Sequence, residues 1–134
     1  MSNSTAPGSP RVLLVDDNDE ILALSRAVLA PTCLIVGTAK DGPSALQAAE
    51  ALRPDVIVLD ISLQHMTGFE VATRLRHSGS TTAMVFLSLY AEEDFVARAK
   101  AVGAIGYVVK PRMVVDLALA VAEAHMGRAF VSPL

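Results

Sequence analysis

Apolar positions along this chain fall into two alternating textures. Short unbroken runs come first: Val12-Leu13-Leu14-Val15, Cys33-Leu34-Ile35-Val36, Val56-Ile57-Val58-Leu59, Met84-Val85-Phe86-Leu87 and Tyr107-Val108-Val109. These runs predict strands over about 11–15, 33–37, 56–59, 84–87 and 105–109, and the four that begin at Val12, Val56, Met84 and Tyr107, apolar throughout rather than alternating, suit parallel strands buried on both faces. Between them the apolar residues recur at helical spacing. Ile21, Leu24 and Val28 predict a helix over 18–30 that ends before Pro31. Asp41-Gly42-Pro43 is a turn with Pro near the first position of the next helix, lined by Leu46, Ala49 and Leu52. Val71 and Leu75 line a third helix over 69–76. Glu92-Glu93-Asp94 open a fourth, where acids suit the positive dipole end, with Phe95, Ala99 and Val102 inward and Gly103 beyond. Val114, Leu117, Ala118, Val121 and Ala122 form the core-facing stripe of the last, which Gly127 stops.

Five strand–helix units joined by short linkers predict an α/β fold, a single doubly wound (βα)5 domain with helices on both faces of a parallel five-stranded sheet. The chain has 134 residues, enough to bury roughly two-thirds of the unfolded surface in one core. Residues 1–10 read as a disordered leader, 11–127 as the domain, and 128–134 as a tail or the start of a linker. The leader has no positive flank before an apolar core and does not read as a signal peptide.

Composition narrows the function classes. Net charge is −3 and no run of Lys or Arg occurs, so nucleic-acid binding by this chain alone is unsupported. No stretch approaches the ~18 apolar residues of a membrane span, and the expected compartment is the cytoplasm. The single Cys33 lies in an apolar run and reads as a buried structural thiol. His65, His77 and His125 share no ligand spacing and read as solvated surface residues. Met66, Met84, Met113 and Met126 read as packing or loop residues.

The candidate chemistry lies where the strands end. Four runs terminate on residues able to handle a phosphate: Asp16-Asp17, Asp60, Ser88 and Lys110. In an open α/β sheet the ligand crevice lies outside the carboxyl ends of the strands, so topology gathers these groups at one rim. Carboxylates ~5 Å apart repel by roughly 3 kcal/mol per pair at an effective dielectric near 20, and a site stable despite that holds a cation. Oxygen ligands without Cys or His favour Mg²⁺, which binds through one or two carboxylates plus phosphate oxygens. An ammonium and a hydroxyl supply charge and a directed donor to a phosphoryl group. Asp60, after the central strand, is the candidate nucleophile, and the Asp16-Asp17 pair the metal holder. Each residue has a plainer use: Asp16-Asp17-Asn18 and Ser88 could cap helices, Asp60 could turn a loop, and Lys110 could be a solvated cation. Their joint occurrence in order on four strands favours the site.

Val15-Asp16-Asp17, Asp60 with Gly68 eight residues on, Ser88 and Lys110-Pro111 together resemble the CheY-like receiver domain of bacterial two-component response regulators, over about 11–127. The resemblance implies a flavodoxin-like sheet of order 2-1-3-4-5 and phosphorylation of Asp60 by a histidine kinase. It implies Mg²⁺ held by Asp17, Asp60 and the main-chain carbonyl of Ser62, with Asp16 acting through water. It further implies that Ser88 moves toward the phosphoryl group, that Tyr107 swings inward behind it, and that the face of the fourth helix, fifth strand and fifth helix changes partners. That is a two-state switch biased by an added charge of about −1.5 to −2. The Lys110–Pro111 peptide is expected to be cis by the same analogy.

Leu87-Ser88-Leu89-Tyr90-Ala91, Gly103-Ala104-Ile105-Gly106-Tyr107 and Gly127-Arg128-Ala129-Phe130-Val131-Ser132-Pro133 look like the NarL/FixJ (LuxR-type) branch. Members of that branch carry a helix-turn-helix domain after a linker, which implies transcriptional output through an output domain or downstream protein; a homodimer is a further partner class. Three positions depart from the common pattern: Gln64 stands where a proline is common, Leu89 is larger than the usual small residue, and Pro111 is commoner outside the branch. The resemblance implies a phosphoacceptor that self-dephosphorylates at most, and no multiple-turnover enzyme. Two alternatives stand beside it. A haloacid-dehalogenase-like hydrolase wants a second Asp where Ser62 stands, and the intact acid pair, Asp60, Ser88 and Lys110 oppose a pseudo-receiver that works by binding alone.

Overall fold

The computed structural model describes residues 8–134; most of the expected leader, residues 1–7, lies outside the described residues. The five apolar runs form the predicted strands, β1 (Arg11–Val15), β2 (Leu34–Ala39), β3 (Val56–Leu59), β4 (Ala83–Ser88) and β5 (Gly106–Val109). The helical stretches form α1 (Asp19–Leu29), α2 (Gly42–Leu52), α3 (Gly68–His77), α4 (Glu93–Ala101) and α5 (Met113–His125). Local chemistry sets several boundaries. Asn18 caps α1 by accepting the Glu20 and Ile21 N–H groups at 2.9 and 3.1 Å. Asp41 caps α2 by accepting from Ser44 at 2.8 Å, and Thr67 with Glu70 forms a reciprocal capping box on α3.

The sheet is parallel throughout, but it has six strands in the order β2-β1-β3-β4-β5-β6. The sixth, β6 (Phe130–Val131), pairs with β5 in the register Gly106↔Phe130 and Tyr107↔Val131, inside the stretch expected to be tail. Two residues are too few to carry a periodicity, which is why the expected order 2-1-3-4-5 stops one strand short.

Alternate strand residues feed two separate cores. Leu13, Val15, Ile57, Leu59, Met84, Phe86 and Tyr107 pack beneath α2, α3 and α4. Val12, Leu14, Val56, Val58, Val85, Leu87 and Val108 pack against α1 and α5. Burial on both faces is the physical source of the unbroken apolar runs. Cys33 is buried in the second core, and burial raises its thiol pKa. His65, His77 and His125 are exposed.

Three expectations need correction. The core-facing stripe of α5 is Met113, Leu117, Ala120, Val121 and Ala124, whereas Val114 is 66% exposed and Ala122 also faces outward. A 3-10 turn, Lys110–Arg112, leads straight into the helix and sets its rotation, which spacing alone cannot reveal. On α1, Leu24 is exposed and Ser25 and Leu29 are the buried positions. Finally, no peptide bond among the described residues is cis. The Lys110–Pro111 bond is trans, and Pro111 sits in the first turn of the 3-10 segment, where its fixed φ suits a helical start.

Candidate functional site

Register brings the strand-end residues together. Val15 pairs with both Ala39 and Leu59, and Leu59 also pairs with Phe86. Asp16 and Asp60 are therefore the next residues out on adjacent strands. The ladder continues through them, with Asp16 N–H donating to the Ala39 carbonyl at 3.1 Å and Asp60 N–H to the Val15 carbonyl at 3.0 Å. On the other side Ser88 pairs with Val109, so Lys110 leaves the sheet at the same rim.

The Lys110 ammonium lies 2.9 Å from Asp16 Oδ2 and 3.3 Å from Asp60 Oδ2, and its side chain is 10% exposed. Asp17 is exposed, yet one carboxylate oxygen from each of Asp16, Asp17 and Asp60 lies within 4.8 Å of the others. The adjacent acid pair, just past the end of β1, thus contributes one buried and one exposed carboxylate. Of Asp16-Asp17-Asn18, the stretch read as a possible helix cap, Asn18 performs that task and leaves the two acids free of it. Asp16 Oδ1 instead accepts the Asn18 N–H at 2.9 Å, which orients the carboxylate.

Electrostatics separates the charged groups. Burial, then the neighbouring Asp16 charge, pushes the Asp60 carboxyl up to about 6, against the opposing pull of Lys110. Burial by itself would lower Lys110, but Asp16 and Asp60 more than offset it and hold the ammonium above its ordinary value. Asp16 Oδ2 is buried, and its partner among the described residues is the Lys110 ammonium at 2.9 Å. Two buried carboxylates sharing one ammonium, and three convergent carboxylate oxygens with no sulfur or imidazole among them, fit a hard divalent cation such as Mg²⁺.

Gly68 shapes the floor. A side chain there would collide with the Asp60 main-chain carbonyl, and the Gly68 N–H donates to the Ile61 carbonyl at 2.7 Å. The spacing from Asp60 to Gly68 thus reflects the close return of α3 onto the strand end. Ser62 is exposed in the intervening loop, its hydroxyl 3.4 Å from the Tyr90 hydroxyl.

Ser88 is buried, and its Oγ accepts the Tyr90 N–H at 3.0 Å rather than capping α4. Its hydroxyl also neighbours that of Tyr107. The Tyr107 ring is 1% exposed, already inward, and its hydroxyl donates to the Tyr90 carbonyl at 2.6 Å. Burial, above all, raises the Tyr107 pKa. Sequence reading passed over Tyr90, which stacks on Phe95 at 4.3 Å and joins Ser62, Ser88 and Tyr107 in one cluster. It also passed over Asp116, a buried acid on a helix of apolar residues. That conflict of burial and charge was visible along the chain.

Similarity to known proteins points the same way. Residues 12–122 match the family model for the response regulator receiver domain. The chain is 38% identical over 113 residues to the transcriptional regulatory protein PrrA of Mycobacterium tuberculosis, covering 84% of this chain and 48% of PrrA. It is 32% identical over 123 residues to the nitrate/nitrite response regulator protein NarL of Escherichia coli, covering 90% and 57%. The chain thus spans about half the length of the curated relatives it matches. Among solved structures, the signal receiver domain of the response regulator NarL from Mycobacterium tuberculosis superposes with a TM-score of 0.85 at 30% identity, covering 90% of this chain and 98% of that one. A LuxR-family two-component response regulator from Aurantimonas sp. gives 0.88 at 26%, covering 93% and 91%.

Proposed function

The chain belongs to the response regulator receiver domain family, and from that premise we propose that Asp60 accepts a phosphoryl group from the phosphohistidine of a sensor histidine kinase. An Asp60 carboxylate oxygen attacks phosphorus in line; the new O–P bond forms as the P–N bond breaks, and the departing imidazole nitrogen takes a proton from solvent. The Lys110 ammonium neutralises charge on the transferred oxygens. Asp16, Asp17 and Asp60, with the Ser62 main-chain carbonyl, would hold Mg²⁺, which supplies further neutralisation of the phosphoryl charge.

The carrying observation is the Lys110 ammonium at 2.9 and 3.3 Å from two carboxylates of separate strands. A single cation shared in this way orients both acids and marks where a dianion can replace part of their charge. Once the phosphoryl group is in place, Ser88 exchanges its contact with Tyr107 for a phosphoryl oxygen. The surface of α4, β5 and α5 then changes its affinity for partners. Receiver domains are signalling proteins rather than conventional enzymes, and this one turns over at most its own aspartyl phosphate. PrrA is a transcriptional regulatory protein, which supports control of transcription through an output domain beyond the matched half.

Treatment with a small-molecule phosphodonor and Mg²⁺, followed by intact mass measurement, tests the assignment. One phosphoryl group on the wild type and none on Asp60→Asn is the expected result. A wild type that gains nothing, or a variant that gains equally, overturns it.

A further inference from the structure

The polar cluster at the carboxyl end of β5, behind Lys110, is the strongest feature that the phosphoryl site does not use. Asp116 is 4% exposed and Ser132 2% exposed. The Ser132 hydroxyl donates to Asp116 Oδ2 at 2.8 Å, and Arg112 donates to the same carboxylate through Nε at 2.8 Å and Nη2 at 3.3 Å. Ser132 Oγ in turn accepts the Val109 N–H at 3.2 Å, and the Ser132 N–H donates to the Tyr107 carbonyl at 2.9 Å.

These contacts straddle Lys110. Val109 precedes it and is held by Ser132; Arg112 follows two residues later and is held by Asp116. Tyr107 is bound at both ends, its hydroxyl to the Tyr90 carbonyl beside the site and its main-chain carbonyl to Ser132. β6 adds only two paired residues to the sheet, with Phe130 and Val131 packed at the core edges, and the clamp supplies the tail's side-chain hydrogen bonds.

We propose that Ser132 and Asp116 are positioning residues that fix Lys110 against Asp16 and Asp60, and that the same clamp makes docking of the 128–132 tail sensitive to phosphorylation. Linkage requires the second half if the first holds: a tail that favours one placement of Lys110 is itself favoured by ligands that need that placement. The proposal rests on the phosphoryl reading of the Asp60 site. It places the coupling between site and tail in β5, the 3-10 turn, the start of α5 and Ser132 just past β6.

Two measurements on the 134-residue chain test it. Amide exchange with and without Mg²⁺ and beryllofluoride, a phosphoryl mimic, is expected to change protection at Val109 and Ser132 by about 2- to 30-fold. Phosphorylation by a small donor is expected to slow by a factor in that range in Ser132→Ala, with Ser132→Thr, which keeps the hydroxyl, restoring the rate. Unchanged exchange at both amides, or equal rates in wild type and Ser132→Ala, overturns the clamp. The exchange arm uses wild type only, so it stands even if a variant folds poorly. Failure of the phosphoryl reading is distinct: the wild type then takes up no phosphoryl group at all.

Discussion

Asp60 and Asp116 are both buried carboxylates, 5% and 4% exposed, and their surroundings push them in opposite directions. Asp116 has a guanidinium and a hydroxyl to itself; Arg112, then Ser132 against the opposing effect of burial, hold its carboxyl below the ordinary range. Asp60 shares one ammonium with a second carboxylate, and burial together with Asp16 lifts it to about 6. The first acid is satisfied and fixes a helix start and a tail. The second is left short of positive charge and is poised to gain from a cation or a change of charge. Burial alone therefore does not distinguish a structural carboxylate from a reactive one; the count of partners does.

The largest expected effect is on stability without metal. Asp60→Asn removes a carboxylate whose ionisation is raised by about two pKa units, and is expected to stabilise the Mg²⁺-free protein near pH 7.5 by up to about 3 kcal/mol in urea denaturation. Destabilisation by this variant breaks the comparison. Asp116→Asn is expected to act oppositely, losing about 1–3 kcal/mol because hydrogen bonds to a buried charge are weakened.

The two acids also differ in pH window. Asp60 binds its proton more tightly in the folded state, so its ionisation penalty is full above pH 6. Stability gained from its protonation accumulates as pH falls from about 6 to the unfolded value near 4. Asp116 behaves conversely: its contribution is present above the unfolded value and is lost as pH falls through its lowered folded value. Urea midpoints measured across pH are expected to rise between 7 and 4.5 in wild type relative to Asp60→Asn, and then fall at stronger acidity relative to Asp116→Asn.

Mg²⁺ affinity is expected to weaken by up to about tenfold per pH unit below 6, as protons compete for Asp60, with calorimetric titration as the check. A flat profile down to pH 5 detaches Asp60 from the metal site. The smallest effect belongs to an exposed control. Asp19 lies 2.9 Å from Lys40, the same separation as Lys110 from Asp16, but in open solvent. Asp19→Ala is expected to leave the urea midpoint close to wild type, since water screens such pairs.

Much of this was legible along the chain. Strands buried on both faces cannot avoid apolar runs, so β1, β3, β4 and β5 and the residues that end them stand out without coordinates, while β2, at the sheet edge with Leu34 exposed, carries an apolar run without that burial. Asp60 to Gly68 spacing and the Asp41 turn follow from local backbone demands. Elsewhere the signal failed for identifiable reasons. Phe130 and Val131 are too few to advertise a strand. Val114 fits an apolar stripe as well as Met113 does, and only the turn that starts α5 decides between them. The long-range contacts of Tyr90 and Ser132 reach 16 to 28 residues away, which no local pattern encodes.

The sequence by itself determined the five longer strands and five helices, their parallel class and the inventory of acids, hydroxyl and ammonium at the strand ends, because periodicity and end-capping act over a few residues. Tertiary structure alone decided which member of the Asp16–Asp17 pair is buried, that Lys110 bridges residues separated from it by 50 and 94 positions, and that Ser132 closes on Asp116. Strand register sets those distances, and charge interactions that fall off within a few ångströms turn small differences in register into different chemistry.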